Sequence, residues 1–393
     1  MTLVKSTRIQ SIDLLRGVIM VIMALDHVRD YFHLGAFNYD PVNMETTNPV
    51  LFFTRFITHY CAPNFIFLAG TSAFLYGTKK TKKELSKFLI SRGLWLIFVE
   101  VVIMNFLWWF DISYGFVNLQ VIWAIGICMV LLGLIIYLPK KLILIIGLLM
   151  VFGHNLLDGI ILQGTSFKSI IWYLLHQQNY ISAGIRTIGI TYPIVPWIGV
   201  MALGYCFGEL YKSGFDVKVR KKWLLGLGIA SLSMFLIFRG FNIYGDPIPW
   251  SVQKDGTFTL MSFLNVYKYP PSLLYLLIAI GPCFLFLYIT ENIQNKITDF
   301  FLVFGRVPFF YYVLHVLFIH VAAIIAIIIS GGNWKDMILD NSAFTTDKMS
   351  NYGYSMVVVY LVWIGIVLLL YPLCKKYMEY KAKNKHKWWL SYI

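Results

Sequence analysis

Charge is scarce in this chain. Only 13% of its 393 residues are Asp, Glu, Lys or Arg, while 59% are hydrophobic. A soluble protein could not keep that much apolar surface from water. Cysteine is scarce too: there are five, and Cys61, Cys128, Cys206 and Cys283 sit inside apolar runs. That scatter offers neither a disulfide framework nor a metal motif, so no metal is expected. Polar stretches never exceed about 40 residues, which leaves no room for a separate soluble domain. No small-residue cleavage site follows the first apolar segment, so a cleavable signal peptide is not expected. Acidic residues are outnumbered, 19 against 33 basic ones, for a formal net charge of +14. That surplus could suggest nucleic acid, but its distribution argues for membrane topology instead.

Apolar runs are what the chain does have. About ten segments reach the ~20 residues that cross a bilayer: roughly 14–35, 51–76, 93–111, 118–138, 142–163, 190–211, 223–241, 271–290, 307–330 and 353–373. The fifth is interrupted by His154, Asn155 and Asp158. Lysine and arginine alternate between the connecting segments. Lys5 and Arg8 lie before the first span, and Lys79, Lys80, Lys82, Lys83, Lys87 and Arg92 follow the second. Lys140 and Lys141 follow the fourth, and Lys212, Lys218, Arg220, Lys221 and Lys222 the sixth. The tail carries six more lysines from Lys375 to Lys387, whereas segment 36–50 has no basic residue. The positive-inside rule then puts both termini in the cytoplasm. The reading is an all-α polytopic membrane protein: one domain over 1–393, about ten transmembrane helices in a single bundle, and a basic cytoplasmic tail at 374–393. Segment 291–306 reads as a short interfacial helix, and 164–189 and 242–270 as longer external loops. No internal repeat or inverted half-to-half symmetry is visible.

Ionisable residues inside such spans are costly and point to function. His27 lies in the run Leu14 to Leu34, eleven positions after Arg16. At 100° per residue the two side chains return to within about 20° of each other, about 16 Å apart along the axis. A cation near one surface and an acid–base group toward the other suit a long anionic substrate that crosses the membrane. Asp30 shares the face of His27 and could orient it; Asp26 does not. The topology puts His59, Asn64, Tyr192, Ser272 and His320 in the outer half and His315 near the middle. Arg16, Arg92 and Arg306 collect on the cytoplasmic side. His315 and His320 are five apart and point about 140° from each other, so at most one faces a given site. His154 and His320 read more simply as structural histidines, and Glu100 as the partner of an arginine or lysine.

These residues also carry a resemblance. The stretches RIQSIDLLRGVIMVIMALDH, FFTRFITHYCAPNFIFLAGTSAFL, GHNLLDGI, YPIVPWIGVMALGYCFGELY, YPPSLLYLLIAIGP and GRVPFFYYVLHVLFIH resemble the catalytic domain of the heparan-alpha-glucosaminide N-acetyltransferase family, in its bacterial branch, from about residue 8 to 330. The Arg16–His27 spacing is similar to the first-helix signature of the wider transmembrane acyltransferases that modify polysaccharides. The resemblance implies that acetyl-CoA is taken from the cytoplasm and that the acetyl group reaches an amine or hydroxyl of a sugar on the other side. It implies a location in the bacterial inner membrane. Lysosomal members carry asparagine where His27 stands, with their proposed histidine further along, so His27, His33 and His59 all remain candidate bases.

The expected roles follow. His27 is the general base, oriented by Asp30 or His59. Asn64, Tyr192, Ser272 and His315 face the acceptor or the developing oxyanion. Arg16, Arg92 and Arg306 hold the phosphates of CoA, arginine by bidentate contacts. The expected partners are acetyl-CoA, a sugar or glycan acceptor and the lipid bilayer, with no nucleic acid. The glycine-rich face GYCFGELY suits packing against a second copy. The competing class is a proton-coupled transporter or exporter of a small or glycan-linked solute, its histidines relaying protons.

Overall fold

The computed structural model describes residues 9–340, 349 and 352–392; Lys5 and Arg8 lie outside the described residues. Helix α1 (Gln10–Phe32) opens the chain. Helices α2 (Pro49–Ile57) and α3 (Cys61–Gly77) follow, joined by a tight turn at Thr58–Tyr60. Asn48 starts α2 by accepting the Leu51 N–H at 3.0 Å, with Pro49 in the first turn where no N–H is needed. Helix α4 (Lys82–Phe98) begins on a Thr81/Glu84 capping box and runs through a π-helical stretch, Val99–Met104, into α5 (Asn105–Trp109). Then come α6 (Val121–Ile135), α7 (Lys140–Gly153), α8 (Phe167–Leu175), α9 (Ile194–Phe207) and α10 (Val217–Gly240). The last five are α11 (Gly256–Leu264), α12 (Leu273–Thr290), α13 (Lys296–Arg306), α14 (Pro308–Ile329) and α15 (Met356–Lys383).

Seven helical runs among the described residues are long and apolar enough to cross a membrane: Lys82–Trp109, Lys140–Leu157, Ile194–Tyr211, Val217–Gly240, Leu273–Thr290, Pro308–Ile329 and Met356–Lys383. The other three expected spans are helical but of different character. Helix α1 has 23 residues yet carries Asp13, Arg16, Asp26, Arg29 and Asp30. The second expected span is divided between α2 and α3, and α6 is apolar but has only 15 residues. The chain is not all helix. Strands β1 (Phe116–Leu119), β2 (Asn179–Ala183) and β3 (Arg186–Ile190) form a sheet in the order β1-β3-β2, with β1 parallel and β2 antiparallel to β3. Gly184, at φ +63°, supplies the left-handed residue of the two-residue hairpin between β2 and β3. Strands of four or five residues are too short to register in a search for ~20-residue apolar runs.

Contacts between connecting segments gather the basic ones at one end of the bundle. Lys82 Nζ donates to the Tyr137 carbonyl at 3.1 Å. Lys140 pairs with Glu209, Arg220 with Glu291, and Arg92 donates to the Ser391 carbonyl. The opposite end is tied separately, by Leu34 N–H to Tyr354 O at 2.9 Å, Tyr244 to Phe152 O at 2.6 Å and Asn265 to Val42 O at 3.2 Å.

Two glycines set the most consequential packing. A Cβ on Gly17 would stand 2.0 Å from the Phe301 carbonyl oxygen, and one on Gly305 would stand 1.8 Å from that of Asp13. Helices α1 and α13 therefore meet backbone to backbone, which brings Arg16 and Arg306 to one place. The GYCFGELY face is consumed in the same way. A Cβ on Gly204 would lie 2.0 Å from Phe67 O on α3, so this stripe is an internal contact and not a free surface for a second copy. Glu100 also departs from expectation. It is fully buried, and its Oε2 accepts the Ile122 and Trp123 N–H groups at 3.1 and 3.3 Å. It caps the N-terminus of α6 instead of pairing with a cation, because the first turn of a helix offers unpaired donors and positive potential.

Gly305→Val should therefore lower stability by about 1–3 kcal/mol, the usual cost of forcing volume into a packed interface. Thermal melting in detergent reads this, with Gly226→Ala, which meets nothing within 4 Å, expected to melt like the parent.

Candidate active site

Helix α1 presents both ends of the site. Arg16, the residue before the Gly17 contact, donates to Asp13 Oδ1 at 2.9 Å and to Ser72 Oγ on α3 at 3.1 Å. It lines a cavity of about 460 Å³ whose wall also includes Arg92 from α4, Arg306 from α13 and Lys381 from α15. The three arginines expected to bind a cofactor thus converge on one space, brought there by four different helices together with Lys381. The rest of the wall is largely apolar, with Met20, Met23, Phe65, Leu89 and Phe309. Arg306 Nε is buried and has no hydrogen-bond partner among the described residues. The cavity wall also includes Ser391, whose carbonyl takes the Arg92 hydrogen bond, so the C-terminal tail borders this space.

His27 stands one helical turn beyond Met23. Its ring meets Trp108 edge-on at 4.7 Å and Tyr312 at 6.3 Å. Tyr312 is itself part of the cavity wall. His27 Nδ1 lies 2.6 Å from His315 Nε2, and the two rings stack at 4.8 Å. His315 Nδ1 lies 3.0 Å from the Tyr311 carbonyl oxygen on its own helix. A carbonyl oxygen only accepts, so His315 Nδ1 must carry the proton and donate. In the neutral ring His315 Nε2 is then a lone pair, and His27 Nδ1 donates to it. His27 Nε2 is left as a free lone pair, the form a general base needs.

The remaining expected residues sort by contact. Asp30 does not orient His27: its carboxylate is bound to Arg29 Nη2 at 2.6 Å, and His315 fills the orienting position. A guanidinium one residue away outcompetes an imidazole three away. His59 is buried in the α2–α3 turn against Tyr275 and Phe56, with no hydrogen bond or ring contact to His27 among the described residues. Asn64 spends its amide on the Tyr60 and Ala279 carbonyls, at 2.8 and 3.0 Å. Ser272 caps α12, accepting the Tyr275 N–H at 3.0 Å and donating to Asp246 at 2.8 Å. Tyr192 stacks on Trp197 and meets Tyr269 edge-on at 5.3 Å, away from His27. His320 sits between the Leu107 and Met337 carbonyls, at 2.9 and 2.7 Å, and reads as structural.

A family model described as heparan-alpha-glucosaminide N-acetyltransferase, catalytic, matches residues 8–239. The chain belongs to this family. No curated protein matches it. Membership makes the protein a membrane acetyltransferase by class. The matched stretch is shorter than the 8–330 expected from the sequence; it holds Arg16, His27 and Arg92, while Arg306, Tyr312 and His315 lie beyond it.

One feature of the site escaped the sequence reading. Asp26, buried, joins Arg29 Nη1 at 2.6 Å and Arg55 Nη1 at 2.5 Å, and accepts the Thr58 hydroxyl at 2.9 Å. This network clamps α2 to α1 beside His27. Only tertiary structure pairs Asp26 with Arg55. Asp26→Ala would leave two enclosed guanidiniums short of a carboxylate and should cost about 3–5 kcal/mol. Asp30 has a side chain 44% exposed, and Asp30→Ala should cost at most about 1 kcal/mol. Parallel melting curves of the two variants test the contrast.

Proposed function

We propose that this protein takes the acetyl group of acetyl-CoA from the cytoplasm and passes it to an amine or hydroxyl of a sugar or glycan on the opposite side of the membrane. The observation that carries the reading is the cavity in which Arg16, Arg92 and Arg306 converge and whose wall ends on Tyr312, against His27. Three guanidiniums around a mostly apolar slot fit a ligand with phosphates at one end and a slender, weakly polar arm at the other. The gathering of basic segments at one end supports a cytoplasmic mouth there, both termini cytoplasmic and about ten membrane crossings, with α1, α2–α3 and α6 completing the seven longer helices.

The chemistry follows from the free lone pair. His27 Nε2 takes the proton from the acceptor amine or hydroxyl as that atom attacks the thioester carbonyl carbon. The carbonyl oxygen becomes an oxyanion, and we assign Tyr312, which lines the cavity against His27, as the hydroxyl that receives it. Collapse breaks the carbon–sulfur bond, and the CoA thiolate recovers the proton from His27. His315 is a positioning residue: it holds the His27 tautomer through Nδ1. We favour this direct transfer over an acetyl-histidine intermediate.

Labelled acetyl-CoA and purified protein test the assignment. His27→Ala should lose about 10²–10⁴-fold in kcat, the usual worth of a general base, with CoA affinity retained. Arg16→Ala and Arg306→Ala should instead weaken CoA binding, read by loss of CoA-dependent thermal stabilisation. Parent protein that CoA does not stabilise at all would turn the assignment toward a solute transporter. His315→Ala should lower kcat while leaving KM for acetyl-CoA in place; a variant with normal kcat would remove its positioning role.

A further inference from the structure

At the other end of the bundle a second polar group stands outside the proposed chemistry. Helix α7 ends at Gly153, and the turn His154–Leu157 follows it. His154 and Asp158 are four residues apart, while His176 comes from the C-terminal end of α8. His154 Nδ1 and His176 Nε2 are 3.2 Å apart, and His176 Nε2 is 3.8 Å from Asp158 Oδ1. One donor atom from each of the three residues falls within 4.8 Å of the others. Donors bound about 2.0–2.1 Å from a tetrahedral zinc stand about 3.3 Å from one another. The 3.2 Å separation between the imidazoles matches such an edge, and the 3.8 Å separation to Asp158 exceeds it by about 0.5 Å, which a small movement of the carboxylate would close.

The surroundings fit an ion better than a bare hydrogen bond. His154 and His176 are 2% and 3% exposed. The contact between them leaves His154 Nε2 buried with no partner among the described residues. Asn155 steadies the carboxylate, donating to Asp158 Oδ2 at 2.8 Å while its own oxygen accepts the Leu273 N–H at 2.9 Å. Outer partners of that kind orient ligands in metal sites. Asp158 and His176 also line a cavity of about 270 Å³ with Gln177, Tyr267 and Tyr269.

We propose that His154, Asp158 and His176 bind a first-row transition ion, zinc above all, with its open position facing that cavity. Two imidazoles and one carboxylate are a borderline donor set suited to zinc, and three protein ligands leave a fourth place for water or a hydroxyl-bearing ligand. The sequence hides the site because its third donor lies twenty-two residues from the first and enters from another helix. The proposal stands apart from acetyl transfer and does not need it.

The test uses the full chain in detergent, stripped with a chelator and titrated with zinc chloride or cobalt chloride. One equivalent of zinc should bind and raise the melting temperature, and cobalt should give the intense visible bands of a four- or five-coordinate ion. His176→Ala and Asp158→Asn should weaken zinc binding by more than the roughly 10–100-fold typical of losing an outer partner, with His33→Ala unchanged. Zinc affinity unaltered in both variants would overturn the site. Should the variants fail to fold, the parent still decides: a cobalt spectrum with only weak octahedral bands, or no binding of either ion, overturns it.

Discussion

The Tyr311 carbonyl oxygen can only accept a hydrogen bond, and the proposed chemistry depends on that constraint. It fixes the proton on His315 Nδ1, which makes His315 Nε2 an acceptor, which in turn draws the His27 proton to Nδ1. The lone pair that remains on His27 Nε2 is thus set two bonds away, by backbone on another helix. Trp108 and Tyr312 hold the ring in place by edge contacts. Asp26, the carboxylate nearest in sequence, is diverted to Arg29 and Arg55.

The donor side depends on close approach. Without side chains at Gly17 and Gly305, α1 and α13 share a backbone contact, and Arg16 and Arg306 reach the same cavity. Arg92 and Lys381 complete it from α4 and α15. The helices thereby concentrate positive charge around an apolar slot, where attraction to an anion is screened less than on an open surface.

The helices were legible because an apolar run of about 20 residues is a strong signal, and α9, α10, α12 and α14 fall where the sequence placed spans. The short sheet was not, since its strands are brief and its β1–β3 pairing joins residues some seventy apart. Within the site, helical geometry alone put Arg16 and His27 on one face. It could not choose between competitors for one group. Asp30 has the right spacing to orient His27, yet Arg29 takes its carboxylate and His315, 288 residues away, takes the imidazole. Glu100 failed for a related reason: the free N–H groups of α6 were invisible until the fold set them beside it. Polar atoms in a low-dielectric interior pair with whatever the fold brings within reach.

Cryo-electron microscopy of the full chain with bound CoA addresses the central claim most directly. The phosphates should lie against Arg16, Arg92 and Arg306, and the pantetheine arm should run along the apolar wall with its sulfur beside Tyr312 and the Nε2 edge of His27. CoA bound elsewhere, or its sulfur held at a distance with that edge of His27 packed against lipid, would contradict the mechanism.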